Sequence, residues 1–143
     1  MLTHPFAATA RADVTPDEVV ALLDENVVYR SPLVARPVVG RALLLEVLGA
    51  AGEILGFEYV DEIPAAGALT LLRWHADLDG ARLEGIDLVR TGEDGRVVEL
   101  TAMLRPFPVV AKFRERMRRR LGERTPPDLW DDTSETPLTE FVR

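Results

Sequence analysis

One carboxylate in this sequence sits where a carboxylate is out of place. Residues 68–78 and 81–90 alternate apolar and polar side chains on either side of Asp79-Gly80, the dipeptide that most strongly signals a two-residue hairpin. Pairing Leu78 with Ala81 sets His75 opposite Glu84, Trp74 opposite Gly85 and Leu72 opposite Asp87. One face of this hairpin then holds Leu72, Trp74, Ala76, Leu83 and Val89, and Asp87 is its one charge. If Arg90 pairs with Arg96 across the next turn, Asp87 faces Glu99, and Met103 and Arg105 continue the same face. A slip of one residue reverses that assignment for the whole last strand. Two carboxylates opposed beside Trp74 and Met103 cannot both ionise cheaply, so at least one pKa is expected to rise, which suits a general acid or base near neutral pH. The competing reading places Asp87 at a pocket mouth, paired with Arg105 or capping a loop, and leaves Glu99 exposed beside its turn.

The other reactive side chains are few. His75 falls on the polar face, where a cross-strand pair with Glu84 makes it structural; it becomes an acid/base or substrate contact only if that face lines the pocket. Tyr29 is a candidate donor to a developing oxyanion, or else a core tyrosine with a bonded hydroxyl. Gly85 leaves room opposite Trp74 for the indole or for a ligand stacked on it. Ser31 lacks a nucleophile-elbow motif, no glycine-rich nucleotide loop occurs, and neither the two histidines nor any cysteine supplies a metal-ligand spacing. The chemistry the residues support is proton transfer without a cofactor.

These residues need a scaffold. Thr15-Pro16-Asp17-Glu18 has the form of a capping box with proline in the first turn, and predicts a helix that Asn26 ends. Residues 27–31 read as a short strand. A second helix is expected from Arg41 to about Leu55, interrupted by Gly49 and Gly52. Strands over 57–60, 68–78, 81–90 and 96–105 then form an antiparallel meander, and a helix from about Pro108 to Leu121 closes the body. From Gly122 the chain reads as an irregular acidic tail containing prolines, with Trp130 and Phe141 available to pin it. Helices separated from a run of antiparallel strands mean an α+β fold, one sheet covered by helices on one face with a pocket between.

Composition sets the bounds. The 143 residues are 47% hydrophobic and 29% charged, enough for one domain with a core. No apolar run reaches the ~18 residues of a membrane span, and the first residues lack the pattern of an export signal, so a cytoplasmic protein is expected. A net charge of −7 opposes attraction to nucleic acid or anionic lipid. The basic run Lys112, Arg114, Arg116, Arg118, Arg119 and Arg120 reads as a solvated helix face, pairing loosely with the acidic tail.

Residues 23–33, with Pro37 and Gly40-Arg41, are similar to the entry of SnoaL-like proteins of the nuclear transport factor 2-like superfamily. Residues 83–89, 94–99 and Leu104-Arg105-Pro106 resemble that family's closing strands. The resemblance implies a cone-shaped fold over residues 1–121, a curved sheet around a hydrophobic cavity, and a tail over 122–143 outside it. It also implies dimerisation through the sheet and relatives that include polyketide cyclases, ketosteroid isomerase-like enzymes, epoxide hydrolases and non-catalytic members. In the cyclase and isomerase pattern Asp87 would move a proton and Tyr29 donate a hydrogen bond, with Glu99 the neighbour that the favoured register sets against Asp87 to raise its pKa. Trp74 and Met103 would line the pocket, and Arg105 would meet an anionic end of a small hydrophobic ligand. Thr101-Ala102-Met103 stands where limonene epoxide hydrolase has an Arg-Asp pair, which disfavours epoxide hydrolysis. A ligand-binding or dimeric assembly module is the alternative to an enzyme.

Overall fold

The computed structural model describes residues 2–130 and 137–140. Six strands form one sheet in the order β2-β1-β6-β5-β4-β3: β1 (Leu23–Arg30), β2 (Val38–Val39), β3 (Gly56–Pro64), β4 (Leu69–Leu78), β5 (Ala81–Thr91) and β6 (Val97–Arg105). The pairs are antiparallel except β1 with β6, which run parallel. Helices α1 (Pro16–Leu22), α2 (Arg41–Ile54) and α3 (Phe107–Leu121) complete the α+β architecture, a curved open sheet with α2 and α3 packed against its inner side.

Local chemistry explains most element ends. The Thr15 hydroxyl accepts from Glu18 N at 3.2 Å while the Glu18 carboxylate accepts from Thr15 N at 2.7 Å, closing the predicted capping box. The first helix stops at Leu22, four residues before the predicted end. Leu23 and Val27 are wholly buried, and Leu23 pairs with Val97, so sheet burial outweighs helix continuation there. Helix α2 runs unbroken through Gly49 and Gly52, because packing of Leu44, Val47 and Ala50 holds it together where local propensity is poor.

Hairpin β4–β5 forms in the predicted register from Leu78↔Ala81 to Leu72↔Asp87, with Asp79 and Gly80 at positive φ in the turn. Burial alternates along both strands, and Leu72, Trp74, Ala76, Leu83 and Val89 all point inward. The β5–β6 register differs from expectation. Arg90 pairs with Glu99, while Thr91 pairs with Val97, so Val98 is an extra residue in a bulge. The last strand is thereby turned over relative to the predicted pairing.

Among the described residues the basic run of α3 is tied both to the body and to the start of the tail. Arg114 donates to the carbonyls of Leu33 (2.8 Å) and Trp130 (2.6 Å), Arg116 pairs with Asp79, and Arg120 pairs with Glu53. Trp130 is buried and donates to the Thr125 hydroxyl at 2.8 Å, so the tail's first residues dock as expected; Phe141 and the acids Asp131, Asp132 and Glu135 lie outside the described residues. The N-terminal segment is ordered too. The Glu62 carboxylate accepts from the backbone of Thr3 (3.0 Å) and His4 (2.6 Å), and Phe6 is buried edge-on to Tyr59 with centroids 6.4 Å apart. Among the described residues no helix is long and apolar enough to cross a membrane.

Candidate active site

A cavity of about 380 Å³ lies between the inner face of the sheet and the helices. Its walls are apolar: Leu100, Ala102 and Leu104 of β6, Phe57 of β3, Val47 and Leu48 of α2, Phe113 and Met117 of α3. Its edge is marked by lining residues that are also exposed: Thr15 and Pro16 at the start of α1, and Gly49 and Gly52 on α2. No heavy atom stands within 4 Å of a Cβ added at either glycine, so both leave open space where a side chain would intrude.

Among the described residues Asp87 is the one carboxylic acid that lines the cavity, and it is 8% exposed. Its Oδ2 accepts from the Tyr59 hydroxyl at 2.6 Å, and its Oδ1 accepts from the Trp74 indole N–H at 3.1 Å. Strand alternation explains the constellation. Tyr59 pairs with Trp74, Trp74 with Gly85, and Asp87 lies two residues beyond Gly85 on the same face. A Cβ at Gly85 would stand 2.7 Å from the Trp74 ring and 2.7 Å from Leu104 Cδ2, so the indole occupies the space the glycine leaves. Phe57 packs at 5.6 Å against both Tyr59 and Trp74, fixing the two donors.

Burial dominates the electrostatics. Desolvation pushes the Asp87 carboxyl up to about 6 even though the Tyr59 and Trp74 bonds favour its charged form. The Tyr59 hydroxyl is pushed well up by burial and by the negative Asp87, whose bond it would lose on ionising. Tyr29 lines the same cavity from β1, beside Leu100 in the neighbouring strand; burial first and Asp87 second raise its hydroxyl, so it stays a neutral donor. A buried base and a neutral phenol in one apolar cavity are the parts needed to take up a proton while stabilising charge on an oxygen.

The turned-over last strand corrects several expected placements. Glu99 is on the outer face, 3.2 Å from the Arg90 guanidinium, and does not oppose Asp87; Ala102 does. Met103 is 56% exposed opposite Ile86 on that outer face, and Arg105 pairs there with Glu84 rather than reaching the cavity. His75 is on the outer face too, between Glu58 and Glu84 in adjacent strands, and is not among the lining residues. The bulge at Val98 causes the first three displacements by adding one residue between the turn and the strand. Trp74, Tyr29 and Asp87 share the cavity. Tyr59, which makes the shorter of the two bonds to Asp87, is not among the residues the sequence singles out; the alternation Phe57-x-Tyr59 is its local signal.

Among the described residues no three histidine, cysteine or acidic side chains come together as metal ligands. No curated protein matches the chain. Solved structures do. An uncharacterised protein with a cystatin-like fold from Silicibacter pomeroyi DSS-3 superposes with a TM-score of 0.75 at 25% identity, over 84% of this chain and 87% of the other. A steroid delta-isomerase from Pseudomonas aeruginosa gives 0.74 at 29% identity, over 83% and 87%. An NTF2-like protein of unknown function from Burkholderia xenovorans LB400 gives 0.58 at 21% identity, over 73% and 80%. The SnoaL-like domain profile matches residues 3–100, a span that carries α1, the glycine-faced α2, Tyr59, Trp74 and Asp87, and the chain therefore belongs to the SnoaL-like family of the NTF2-like fold.

Proposed function

We propose that the chain is a cofactor-independent enzyme that moves a proton on a hydrophobic, oxygenated substrate, with Asp87 as the base. The observation that carries this reading is the carboxylate itself: among the described residues the one charged group lining an apolar cavity, held by two donors. In the step, ionised Asp87 takes a proton from the carbon next to a carbonyl, and the electron pair moves onto the carbonyl oxygen. The Tyr29 hydroxyl donates a hydrogen bond to that oxygen. Return of the proton at another carbon completes an isomerisation, with atoms and charge conserved. The likeness to a steroid delta-isomerase supports this class of reaction.

The test uses 2-tetralone, a neutral bicyclic ketone with acidic carbon-bound protons, in heavy water. The protein should accelerate deuterium uptake into the ketone, Asp87→Asn should cut that rate by about 100-fold or more, and Tyr29→Phe should cut it less. Uptake no faster than in buffer, or undiminished in Asp87→Asn, removes the catalytic reading. A binding or assembly module is the second reading, and two observations favour it. Both Asp87 oxygens already accept bonds from the protein. Ile86 and Met103 also face each other, exposed, on the outer side of the sheet, where a second copy could pack. Ligand-dependent stabilisation without deuterium uptake, with a dimer by sedimentation that Met103→Glu dissociates, would establish it.

A further inference from the structure

The cavity carries a charge and nothing to balance it. Among the described lining residues none is lysine, arginine or histidine. The ionisable groups that face Asp87 are Tyr59 of β3 and Tyr29 of β1, each separated from β5 by one strand, and both stay neutral at ordinary pH. The guanidinium that the sequence offered for an anionic ligand, Arg105, is spent on Glu84 across the sheet. The edge repeats the pattern: the chain neighbours of the exposed lining residues Thr15 and Pro16 include Asp13, Asp17 and Glu18, and the nearby Arg11 is bound to Asp13 at 3.2 Å.

We infer that the cavity selects its ligand by charge, taking uncharged lipophilic molecules and turning away those that bear a carboxylate, sulfate or phosphate. This rests on the cavity being the ligand site, as under the proposed function, and adds what that reading leaves open, the class of substrate. A second anion inside these walls sits within several ångströms of Asp87, where water screens poorly and no cation can be recruited from the lining. At ~8 Å and an effective dielectric constant of about 20, the repulsion corresponds to roughly a 30-fold loss of affinity. An uncharged ligand of the same shape meets apolar wall, two phenols and the neutral Thr9 and Thr15. The substrate would thus be a ketone, ester or alcohol without an ionised group, and a reaction yielding an acid would expel its own product.

The test compares two probes of one shape, 2-naphthylmethanol and 2-naphthoate, by calorimetry at pH 7.5. The alcohol should bind about 30-fold more tightly than the carboxylate. In Asp87→Asn, checked for folding by thermal melt, that ratio should fall below about threefold through a gain by naphthoate. A second arm needs no variant: lowering the pH to 5 neutralises most of Asp87 while naphthoate stays ionised, so naphthoate should gain about tenfold in wild type and the alcohol should not. Equal affinities at pH 7.5, an unchanged ratio in both arms, or binding of neither probe overturns the inference. The two claims fail separately. A charge ratio without deuterium uptake into tetralone leaves selection standing and removes catalysis, whereas uptake without a charge ratio does the reverse.

Discussion

Neutralising one side chain, by Asp87→Asn, should remove a specific dependence of folding stability on pH. An aspartate free in the unfolded chain titrates near 3.8, and burial in the cavity moves Asp87 to about 6. Between those values the folded protein binds the proton more tightly than the unfolded one, so stability falls as pH rises from about 4 to about 6. Below both values the carboxyl is neutral in both states and costs nothing; above both, the full cost of a buried charge applies. Two pH units correspond to about 3 kcal/mol in full, and about 1 kcal/mol is already recovered on going from pH 7.5 to pH 5.

Other acids act in the opposite direction. Glu18, Glu62 and Glu84 are held below their ordinary values, by Thr15, by Thr3 and by Arg105 respectively, so their stabilisation is lost as pH falls through those lowered values. They are common to both proteins and cancel in the difference. The assay is urea unfolding of wild type and Asp87→Asn at pH 5 and 7.5, read as the change in their stability gap. Because the asparagine amide turns one donor toward the Trp74 N–H or the Tyr59 hydroxyl, the gap itself carries a constant offset, and only its variation with pH is diagnostic. The gap should shift by about 1 kcal/mol in favour of wild type at the lower pH. Parallel pH profiles would refute the burial argument and with it the poised base.

Three further outcomes follow from the same geometry. Tyr59→Phe removes the 2.6 Å bond that favours ionised Asp87, so the Asp87 carboxyl resonance should titrate higher than in wild type; Glu99→Gln, on the far face beside Arg90, should leave that titration where it is. Gly85→Ala places a methyl 2.7 Å from the Trp74 ring, which cannot move aside as a Leu104 methyl can, and should cost about 1–3 kcal/mol in chemical unfolding while shifting the indole fluorescence. Gly49→Ala and Gly52→Ala meet no neighbouring atom and lie inside α2, so each should raise thermal stability by the equivalent of roughly 0.5–1 kcal/mol, in spite of lining the cavity.

How far the sequence could be read depended on whether register was fixed locally. Asp79-Gly80 pins one hairpin to one pairing, and from it the inward set Leu72, Trp74, Ala76, Leu83, Gly85 and Asp87 followed without further information. Nothing in Gly92-Glu93-Asp94-Gly95 does the same. The Gly92 N–H donates to the Arg96 carbonyl at 2.8 Å and the strand beyond absorbs Val98 as a bulge, so its parity changes after the turn and not within it. Glu99, Met103 and Arg105 were read onto the cavity for that reason alone. The β3–β4 connection gave still less. Its turn around Gly67 is long, and a further bulge at Val60 separates Tyr59 from the residues nearest that turn, so counting back from it misplaces the phenol.

The same counting argument explains why the site is built where it is. In β4 and β5 the register cannot slip without driving Leu72, Leu83 and Val89, all fully buried, into solvent, so the hairpin that carries Trp74 and Asp87 is the most strongly specified part of the sheet. The bulges fall in the strand pairs on either side of it. Each changes which residues face inward along β3 and β6, and so decides what surrounds Asp87 without disturbing Asp87 itself. In the present chain the β6 bulge presents Ala102 across from the carboxylate, where continuing the Thr91–Val97 pairing without it would present Thr101 and turn Glu99 inward opposite Val89. A small apolar neighbour keeps a single negative charge in the cavity, and Ala102→Asp, which sets a second carboxylate against the first, should show itself as a further rise in the Asp87 titration or as loss of the folded state.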